Sequence, residues 1–111
     1  MKTLRTLFAL AAAIFPALAG AQSYPAKPVK VIVPAAPGGG LDLVARIFTA
    51  RLSETWGQQT VVENRAGANF IVGTEAVAKA VPDGYTLLFT SHAALTINPV
   101  TYSSLPYSTR D

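Results

Sequence analysis

A run of three glycines stands between a strand pattern and a helix pattern. Gly38, Gly39 and Gly40 follow Pro34 and the β-branched run Val29–Val33, which predicts a buried strand that leads into a glycine loop. Glycine lets the backbone approach a ligand closely, and the N–H groups and dipole at the start of the next helix attract anions. The pattern therefore favours the binding of a carboxylate over that of a cation.

Two further loops are expected at the same edge of the sheet, because the carboxyl ends of parallel strands meet there. They are Arg65 to Phe70, after the second strand, and Ser91 to Ala93, after the third. Asn69 and Phe70 offer an amide and an exposed ring at a loop tip, with no evident packing role. His92, the only histidine, is interpreted as a loop residue or as a hydrogen-bond partner of a ligand.

These residues do not meet the spacing rules of common catalytic motifs. No Gly-Lys-Ser/Thr follows the glycines, so the loop is not a P-loop. Counted from Gly38, the third glycine of a dinucleotide fingerprint falls on Leu43, although Glu63 stands where a ribose-binding acid is found. One histidine without Cys or a G-x-S-x-G serine forms no triad, and no metal-ligand spacing occurs. We therefore expect no catalytic residue, metal or cofactor, and a Rossmann-like enzyme is the less favoured alternative.

Asp42 lies in the first turn of the helix after the glycine loop, where a carboxylate is favoured. Its simplest interpretation is a helix-start residue. Beside a bound carboxylate it would repel the ligand unless it met a ligand ammonium group or backbone N–H groups. Phe48 and Trp56, farther along the same helix, are interpreted as core residues.

Strands and helices are expected to alternate along the chain. Periodicity and turn residues predict strands at Val29–Val33, Thr60–Asn64 and Tyr85–Thr90, and helices at Leu41–Trp56 and Ile71–Val81. The order β-α-β-α-β predicts parallel pairing with right-handed crossovers, that is, a doubly wound α/β sheet.

The first helix carries apolar residues at spacings of three and four, the pattern of an amphipathic helix, and Gly57 follows it as a C′ glycine. These apolar residues are Val44, Ile47, Phe48 and Leu52. After His92 the chain is expected to be less regular, because Asn98-Pro99 and Leu105-Pro106 interrupt it.

Residues 1–21 have the pattern of a secretory signal peptide. Lys2 and Arg5 precede the apolar run Leu7 to Ala19, and Ala19-Gly20-Ala21 supplies small residues for a cleavage site. We expect a cut between Ala21 and Gln22 and a periplasmic location for residues 22–111. An N-terminal membrane anchor is less favoured, because a span needs about 20 apolar residues.

Composition narrows the class of protein further. The chain has 111 residues, 50% apolar and 14% charged, with no cysteine, which argues against a disordered tail, a disulfide scaffold and a thiolate site. The net charge of +3 includes Lys2 and Arg5, so seven basic and six acidic residues remain after the leader. That balance does not support a nucleic-acid-binding surface. Three strands leave a bare sheet edge, which suggests part of a larger fold.

Several separate segments resemble one family, in the order in which that family has them. They are YPAKPVKVIVPAAPGGGLDLVAR from Tyr24, GQQTVVENRAGANFIVGTEAVAKAVPDGYTLLFTS from Gly57, INP from Ile97 and LPY from Leu105. With these motifs the chain resembles the TctC or Bug family, periplasmic solute-binding proteins of tripartite tricarboxylate transporters. The resemblance covers essentially all of residues 22–111, which correspond to the N-terminal part of a family member.

The resemblance implies a type II periplasmic binding protein fold, in which two α/β lobes close on an organic carboxylate or an amino acid. Residues 22–111 would form the N-terminal part of lobe one, with lobe two and the hinge return absent. The ligand would be delivered to the large and small membrane subunits of a transporter, with no reaction and no nucleic acid involved. A partial gene product without independent function is the alternative to a working receptor.

The same resemblance implies ligand contacts in all three loops. Backbone N–H groups, often through water, would hold the carboxylate, while the side chains of Phe70 and His92 would select the acid. Many family members have Thr or Ser in place of Leu41 and Gly in place of Phe70, so this chain lacks one hydroxyl donor and has a larger side chain at the pocket. The implied contacts are Ala36, Pro37, Gly38, Gly39, Leu41, Asp42, Asn69, Phe70, Ser91, His92 and Ala93.

Overall fold

The computed structural model describes residues 23–110, and the expected leader and its cleavage site lie outside them. Three strands and three helices occur in this part of the chain, with a π-type helical turn before the last helix. Their bounds are β1 Val29–Val33, α1 Gly40–Trp56, β2 Thr60–Asn64, α2 Ile71–Ala78, β3 Thr86–Leu88, the π-type turn Ala93–Ile97 and α3 Asn98–Thr101.

The strands form one parallel sheet in the order β2-β1-β3. Val31 at the centre of β1 lies opposite Val62 of β2 and Leu87 of β3. β1 is the most deeply buried strand, with its side chains Val29 and Val33 fully inaccessible to solvent, because it has a neighbour on both edges. The predicted parallel α/β core is therefore confirmed.

The two crossovers run in opposite directions across the sheet, the first from β1 to β2 and the second from β2 past β1 to β3. Helix α1 packs against β1 and β2, while α2 packs against β1 and β3. Right-handed crossovers that run in opposite directions put their helices on opposite faces of the sheet. The carboxyl ends of β1 and β3 therefore form a topological switch point, where ligands bind in open α/β sheets.

The α1 helix ends at Trp56 as the sequence predicted and begins one residue earlier than predicted, at Gly40, but it turns a different face to the sheet. Val44, Ile47 and Phe48 are 55%, 63% and 52% exposed, so the prediction that Phe48 belongs to the core is wrong. The buried positions are Asp42, Ala45 and Thr49. These small and polar side chains let the helix approach the sheet closely. The hydroxyl of Thr60 in β2 donates to the carbonyl of Thr49 at 2.7 Å.

Trp56, also predicted to lie in the core, is half-buried at the end of α1. It packs against Tyr24, with the ring centroids 6.0 Å apart. Tyr24 also contacts the ring of Tyr85 and donates a hydrogen bond to the carbonyl of Gly84. These contacts attach the segment before β1 to the amino end of the sheet, opposite the predicted ligand loops.

Two predicted elements end at other positions in the structure. Helix α2 stops at Ala78 instead of Val81 because the chain tightens there, with the N–H of Ala80 donating to the carbonyl of Val77 at 3.0 Å. Strand β3 is shorter than Tyr85–Thr90, since its ladder with β1 covers only Thr86–Leu88.

The segment after His92 is helical, whereas an irregular chain was expected. The π-type turn continues directly into α3, and Pro99 lies in the first turn of that helix. Proline is tolerated there because the N–H that it lacks has no partner within a helix in any case. None of the helices in residues 23–110 is both long and apolar enough to cross a membrane.

Close packing joins α2 to the end of β1. A Cβ atom on Gly73 would lie 2.6 Å from the Cβ of Pro34 and 2.9 Å from the carbonyl oxygen of Arg65. Both neighbours belong to short, constrained connections, so neither has a flexible side chain that can move aside. The absence of a side chain at Gly73 therefore sets the distance between α2 and the loops that follow β1 and β2.

We predict that Gly73→Ala lowers the free energy of unfolding by about 1–3 kcal/mol, the usual cost of overpacking. Gly40→Ala is the matched control, because a Cβ atom there would meet nothing within 4 Å. The control should unfold at the same urea concentration as the parent chain or a higher one. Equal stability of Gly73→Ala and the parent in urea unfolding would contradict the packing argument.

Candidate functional site

The three predicted loops meet at the carboxyl edge of the sheet. The N–H of Arg65, which begins the second loop, donates to the carbonyl of Val33 at 2.9 Å. On the other side of β1, the N–H of Phe89 donates to the carbonyl of Ile32, also at 2.9 Å. Both neighbouring loops are thus held beside the central glycine loop.

The predicted site residues differ in their exposure at this edge. Asp42 is buried, the side chains of Leu41, Phe70, Ser91 and Ala93 are half-buried, and the remaining six residues are exposed. The exposed residues are Ala36, Pro37, Gly38, Gly39, Asn69 and His92. The predicted set therefore forms an open surface around one buried carboxylate.

The carboxylate of Asp42 is only 2% exposed and is fully hydrogen-bonded within the protein. Its Oδ2 accepts from the N–H of Gly38 at 2.9 Å and from Nε of Arg46 at 2.9 Å, and its Oδ1 accepts from Nδ2 of Asn64 at 2.8 Å. These donors, Arg46 foremost, lower the pKa of Asp42 from 3.8 to about 2. The carboxylate is therefore ionised at neutral pH and ties the glycine loop to helix α1.

The Asn64 side chain extends this network to the end of β2. Its Nδ2 also donates to the carbonyl of Ala35 at 3.1 Å, and its Oδ1 accepts from Arg46 at 3.1 Å. Neither Asn64 nor Arg46 was predicted from the sequence to belong to the site. The spacing of four between Asp42 and Arg46 on a helix is a signal for the second of these residues, whereas the contact of Asn64 depends on the sheet register.

The first turn of α1 offers backbone donors at the switch point. Gly39 has extended backbone angles and provides no side-chain cap, and the first hydrogen bond of the helix runs from the N–H of Leu43 to the carbonyl of Gly39 at 2.9 Å. Within the described residues, the N–H groups of Gly40, Leu41 and Asp42 donate to no protein acceptor. They are therefore available to an anion.

The second loop ends in three consecutive residues with left-handed backbone angles. Ala68, Asn69 and Phe70 have φ values of 45°, 50° and 71°. This region costs a residue other than glycine about 1–2 kcal/mol, although asparagine tolerates it better than most. Such strain persists only where surrounding contacts enforce it, and it is common at binding sites.

Asn98 supplies a contact that holds this loop. It is fully buried, its Nδ2 donates to the main-chain carbonyl of Asn69 at 2.8 Å, and its Oδ1 accepts from Nδ2 of Asn69 at 2.8 Å. From the sequence, Asn98-Pro99 was interpreted only as an interruption of the chain, and this role was missed. The distance of 29 residues between the partners leaves no local signal for it.

The third loop carries hydroxyl groups at the end of β3. Ser91 Oγ accepts from the N–H of Ala93 at 3.3 Å and thereby begins the helical segment. Thr90 Oγ1 is buried and has no hydrogen-bond partner among the described residues. Thr90, which was not selected from the sequence, therefore has a hydroxyl group without a protein partner directly before the third loop.

Positively charged side chains in the described part of the chain are mostly paired with acids. Lys27, Lys30, Arg46, Arg51, Arg65 and Lys79 all form ion pairs. Arg110 is the one lysine or arginine among residues 23–110 that forms no ion pair with a described acid. An anion at the carboxyl edge would therefore meet backbone and hydroxyl donors instead of a dedicated cation.

A separate cavity of about 360 Å³ lies among the last residues of the described chain. It contains none of the predicted site residues, and all of its lining residues fall between Pro99 and Arg110. The lining residues are Pro99, Tyr102, Ser103, Leu105, Tyr107, Ser108, Thr109 and Arg110. Since the three loops do not reach it, this cavity is distinct from the site at the switch point.

Comparison with known proteins gives a family match over most of the chain. Residues 44–111 match the family described as "Tripartite tricarboxylate transporter family receptor". Protein BugT of Bordetella pertussis is 47% identical over 88 residues, which make up 78% of this chain and 27% of BugT. The chain therefore spans about a quarter of the length of this relative.

Two similar solved structures were determined with small acids bound. MatC from Rhodopseudomonas palustris, with bound malate, is 36% identical and superposes with a TM-score of 0.73. A second R. palustris protein, with adipate, is 35% identical and has the same TM-score of 0.73. Each match covers 78% of this chain and 29% of the other.

The Asp42 network predicts a loss of stability in acid. Because the pKa of Asp42 is lowered to about 2 in the folded chain, its contribution is fully present above about pH 4 and is lost as the pH falls toward 2. Asp42→Asn should be less stable than the parent at neutral pH, and its stability should fall less steeply in this range.

Urea unfolding at a series of pH values measures this difference. Some acid sensitivity should remain in Asp42→Asn, since Lys30 and Arg65 lower the pKa of Glu63, and the N–H of Tyr85 lowers that of Asp83. Glu54→Gln is the control, because that exposed carboxylate contacts only Arg51 and such pairs contribute little. Parallel pH curves for Asp42→Asn and the parent would contradict the role assigned to Asp42.

The left-handed backbone angles of the second loop lead to a further prediction about stability. Ala68→Gly should raise the free energy of unfolding by about 0.5–1 kcal/mol, because the relief of left-handed strain exceeds the entropy that glycine adds to the unfolded chain. Ala66→Gly is the matched control, since Ala66 is exposed in the same loop without a positive φ. Chemical denaturation should show that the control is less stable than the parent. A lower free energy of unfolding in both variants would argue against strain at Ala68.

Proposed function

The chain belongs to the tripartite tricarboxylate transporter receptor family, and from that premise we propose that it contributes the first wall of an extracytoplasmic receptor for a small organic carboxylate. The ligand lies outside the carboxyl ends of β1 and β3, against the start of α1. Binding and release are its whole task, and no bond in the ligand is made or broken.

The observation that carries this proposal is the set of unpartnered backbone donors at the switch point. The N–H groups of Gly40, Leu41 and Asp42 meet no acceptor in the described part of the chain, and they lie at the positive end of the α1 dipole. The negative charge of Asp42 is offset by Arg46 and by the N–H of Gly38. A carboxylate can therefore approach this helix end although a buried acid lies within its first turn.

The class of ligand follows from the relatives. Malate is bound in one similar structure and adipate in another, and both are dicarboxylates of different length. A fixed carboxylate site at the α1 start, combined with variable contacts farther out, accounts for both. In this chain Phe70 and His92 would provide those variable contacts.

The remaining assignments follow the family. The leader directs the chain to the periplasm and is cut between Ala21 and Gln22. Residues 22–111 form the N-terminal part of lobe one, and a second lobe closes over the ligand in the complete receptor. The closed receptor then delivers the acid to the large and small membrane subunits of the transporter.

Leu41→Asp tests where the carboxylate binds. A new negative charge within a few ångströms of the ligand should weaken malate binding at least about tenfold. The same charge at the start of α1 suits the helix dipole, so we expect the folded state to be retained. Isothermal titration calorimetry of the purified chain measures the dissociation constant, and thermal unfolding measures stability.

Two variants serve as controls for this experiment. Leu41→Asn removes the same side chain without adding charge and should retain most of the affinity. Leu43→Asp adds the same charge to a residue of α1 that is 60% exposed and should have a smaller effect. Malate binding that is unchanged in Leu41→Asp, or weakened equally by both aspartates, would reject the proposed position of the site.

A further inference from the structure

We propose that Asn98 is a positioning residue for ligand binding. It holds the Asn69–Phe70 loop tip in its left-handed conformation next to the third loop. This inference rests on the carboxylate-binding function proposed above. Both polar atoms of the Asn98 side chain form hydrogen bonds with Asn69. Nδ2 donates to the main-chain carbonyl of Asn69, and Oδ1 accepts from its side-chain amide, each at 2.8 Å.

Asn98 can hold the loop because its own position is constrained. It stands at the junction between the π-type turn and α3, where its N–H donates to the carbonyl of Ala93. Its side chain is fully buried, and Tyr107 lies beside it, with the Tyr107 hydroxyl donating to the carbonyl of Ala94 at 2.7 Å. The loop tip is thus attached to a packed helical segment.

The contact links two of the three ligand loops. Ser91 and His92 lead directly into the helical segment that contains Asn98, while Asn69 and Phe70 lead directly into α2. The carbonyl of Asn69 accepts from Asn98, and the first turn of α2 begins from Phe70, whose carbonyl accepts from the N–H of Thr74 at 3.1 Å. Loss of Asn98 would release a strained loop at the ligand site and leave the sheet intact.

The test compares Asn98→Asp with the parent chain. Aspartate has nearly the same shape and keeps an acceptor for the Asn69 amide, but its carboxylate cannot donate to the Asn69 carbonyl. We expect backbone couplings and carbon chemical shifts of residues 68–70, measured by NMR without ligand, to show a reduced left-handed population. Thr101→Ala, an exposed position nearby in α3, is the control that should leave this population unchanged.

The same samples are then titrated with malate. If malate binds only the left-handed form of the loop, the dissociation constant is multiplied by the inverse of the remaining left-handed fraction. A fraction of about one fifth therefore gives about a fivefold weaker affinity. A residue that merely stabilises the fold would lower the melting temperature without this quantitative relation. The effect should also shrink in a Phe70→Gly background, because glycine adopts left-handed angles without strain.

Asn69→Ala keeps the measurement possible if Asn98→Asp does not fold. It removes the other hydrogen bond of the pair, from Nδ2 of Asn69 to Oδ1 of Asn98, and leaves the buried Asn98 in place, so it should also reduce the left-handed population. An unchanged loop population in these variants would overturn the inference, as would a reduced population with unchanged malate affinity. A parent chain that binds neither malate nor adipate would instead overturn the proposed function, since the loop measurement needs no ligand.

Discussion

The carboxylate of Asp42 joins three separate pieces of chain at the carboxyl edge of the sheet. Through Gly38 it fixes the glycine loop, through Arg46 it is neutralised on its own helix, and through Asn64 it reaches the end of β2. A buried charge is stable only when it is paired and hydrogen-bonded, so these contacts must form together. The geometry of the proposed ligand site depends on this network, because it sets the direction in which the first N–H groups of α1 point.

The proposed recognition of an anion by backbone donors would suit a receptor that must release its ligand. Within the described residues, the basic side chains near the carboxyl edge, Arg46 and Arg65, are already paired with Asp42 and Glu63. A free guanidinium group would add charge-assisted hydrogen bonds, whereas a helix dipole and neutral N–H groups give a weaker attraction. In the proposed site, shape and the strained second loop would then carry more of the selectivity, and the contact between Asn98 and Asn69 would hold that loop.

Local patterns predicted the strands and the parallel order of the core, because β-branched runs such as Val29–Val33 and the C′ glycine Gly57 report on their own conformation. The face that α1 turns to the sheet was not predictable in this way. The spacing of apolar residues placed Phe48 on the buried face, but the close approach of α1 to the sheet buries Ala45 and Thr49 instead. The loops of the site were located by their positions after strands. The residues that hold them, Asn64 and Asn98, act through contacts between distant segments and leave no trace in the spacing of residues.

The position of the bound carboxylate is measured most directly by titrating the isotope-labelled chain with malate while amide chemical shifts are recorded. The proposed site predicts that the largest shifts occur in the glycine loop and the first turn of α1, residues 38–42, with further changes at residues 69–73 and 90–93. Shifts confined to the cavity between Pro99 and Arg110, or none in residues 38–42 at saturating malate, would contradict the claim that the start of α1 binds the carboxylate.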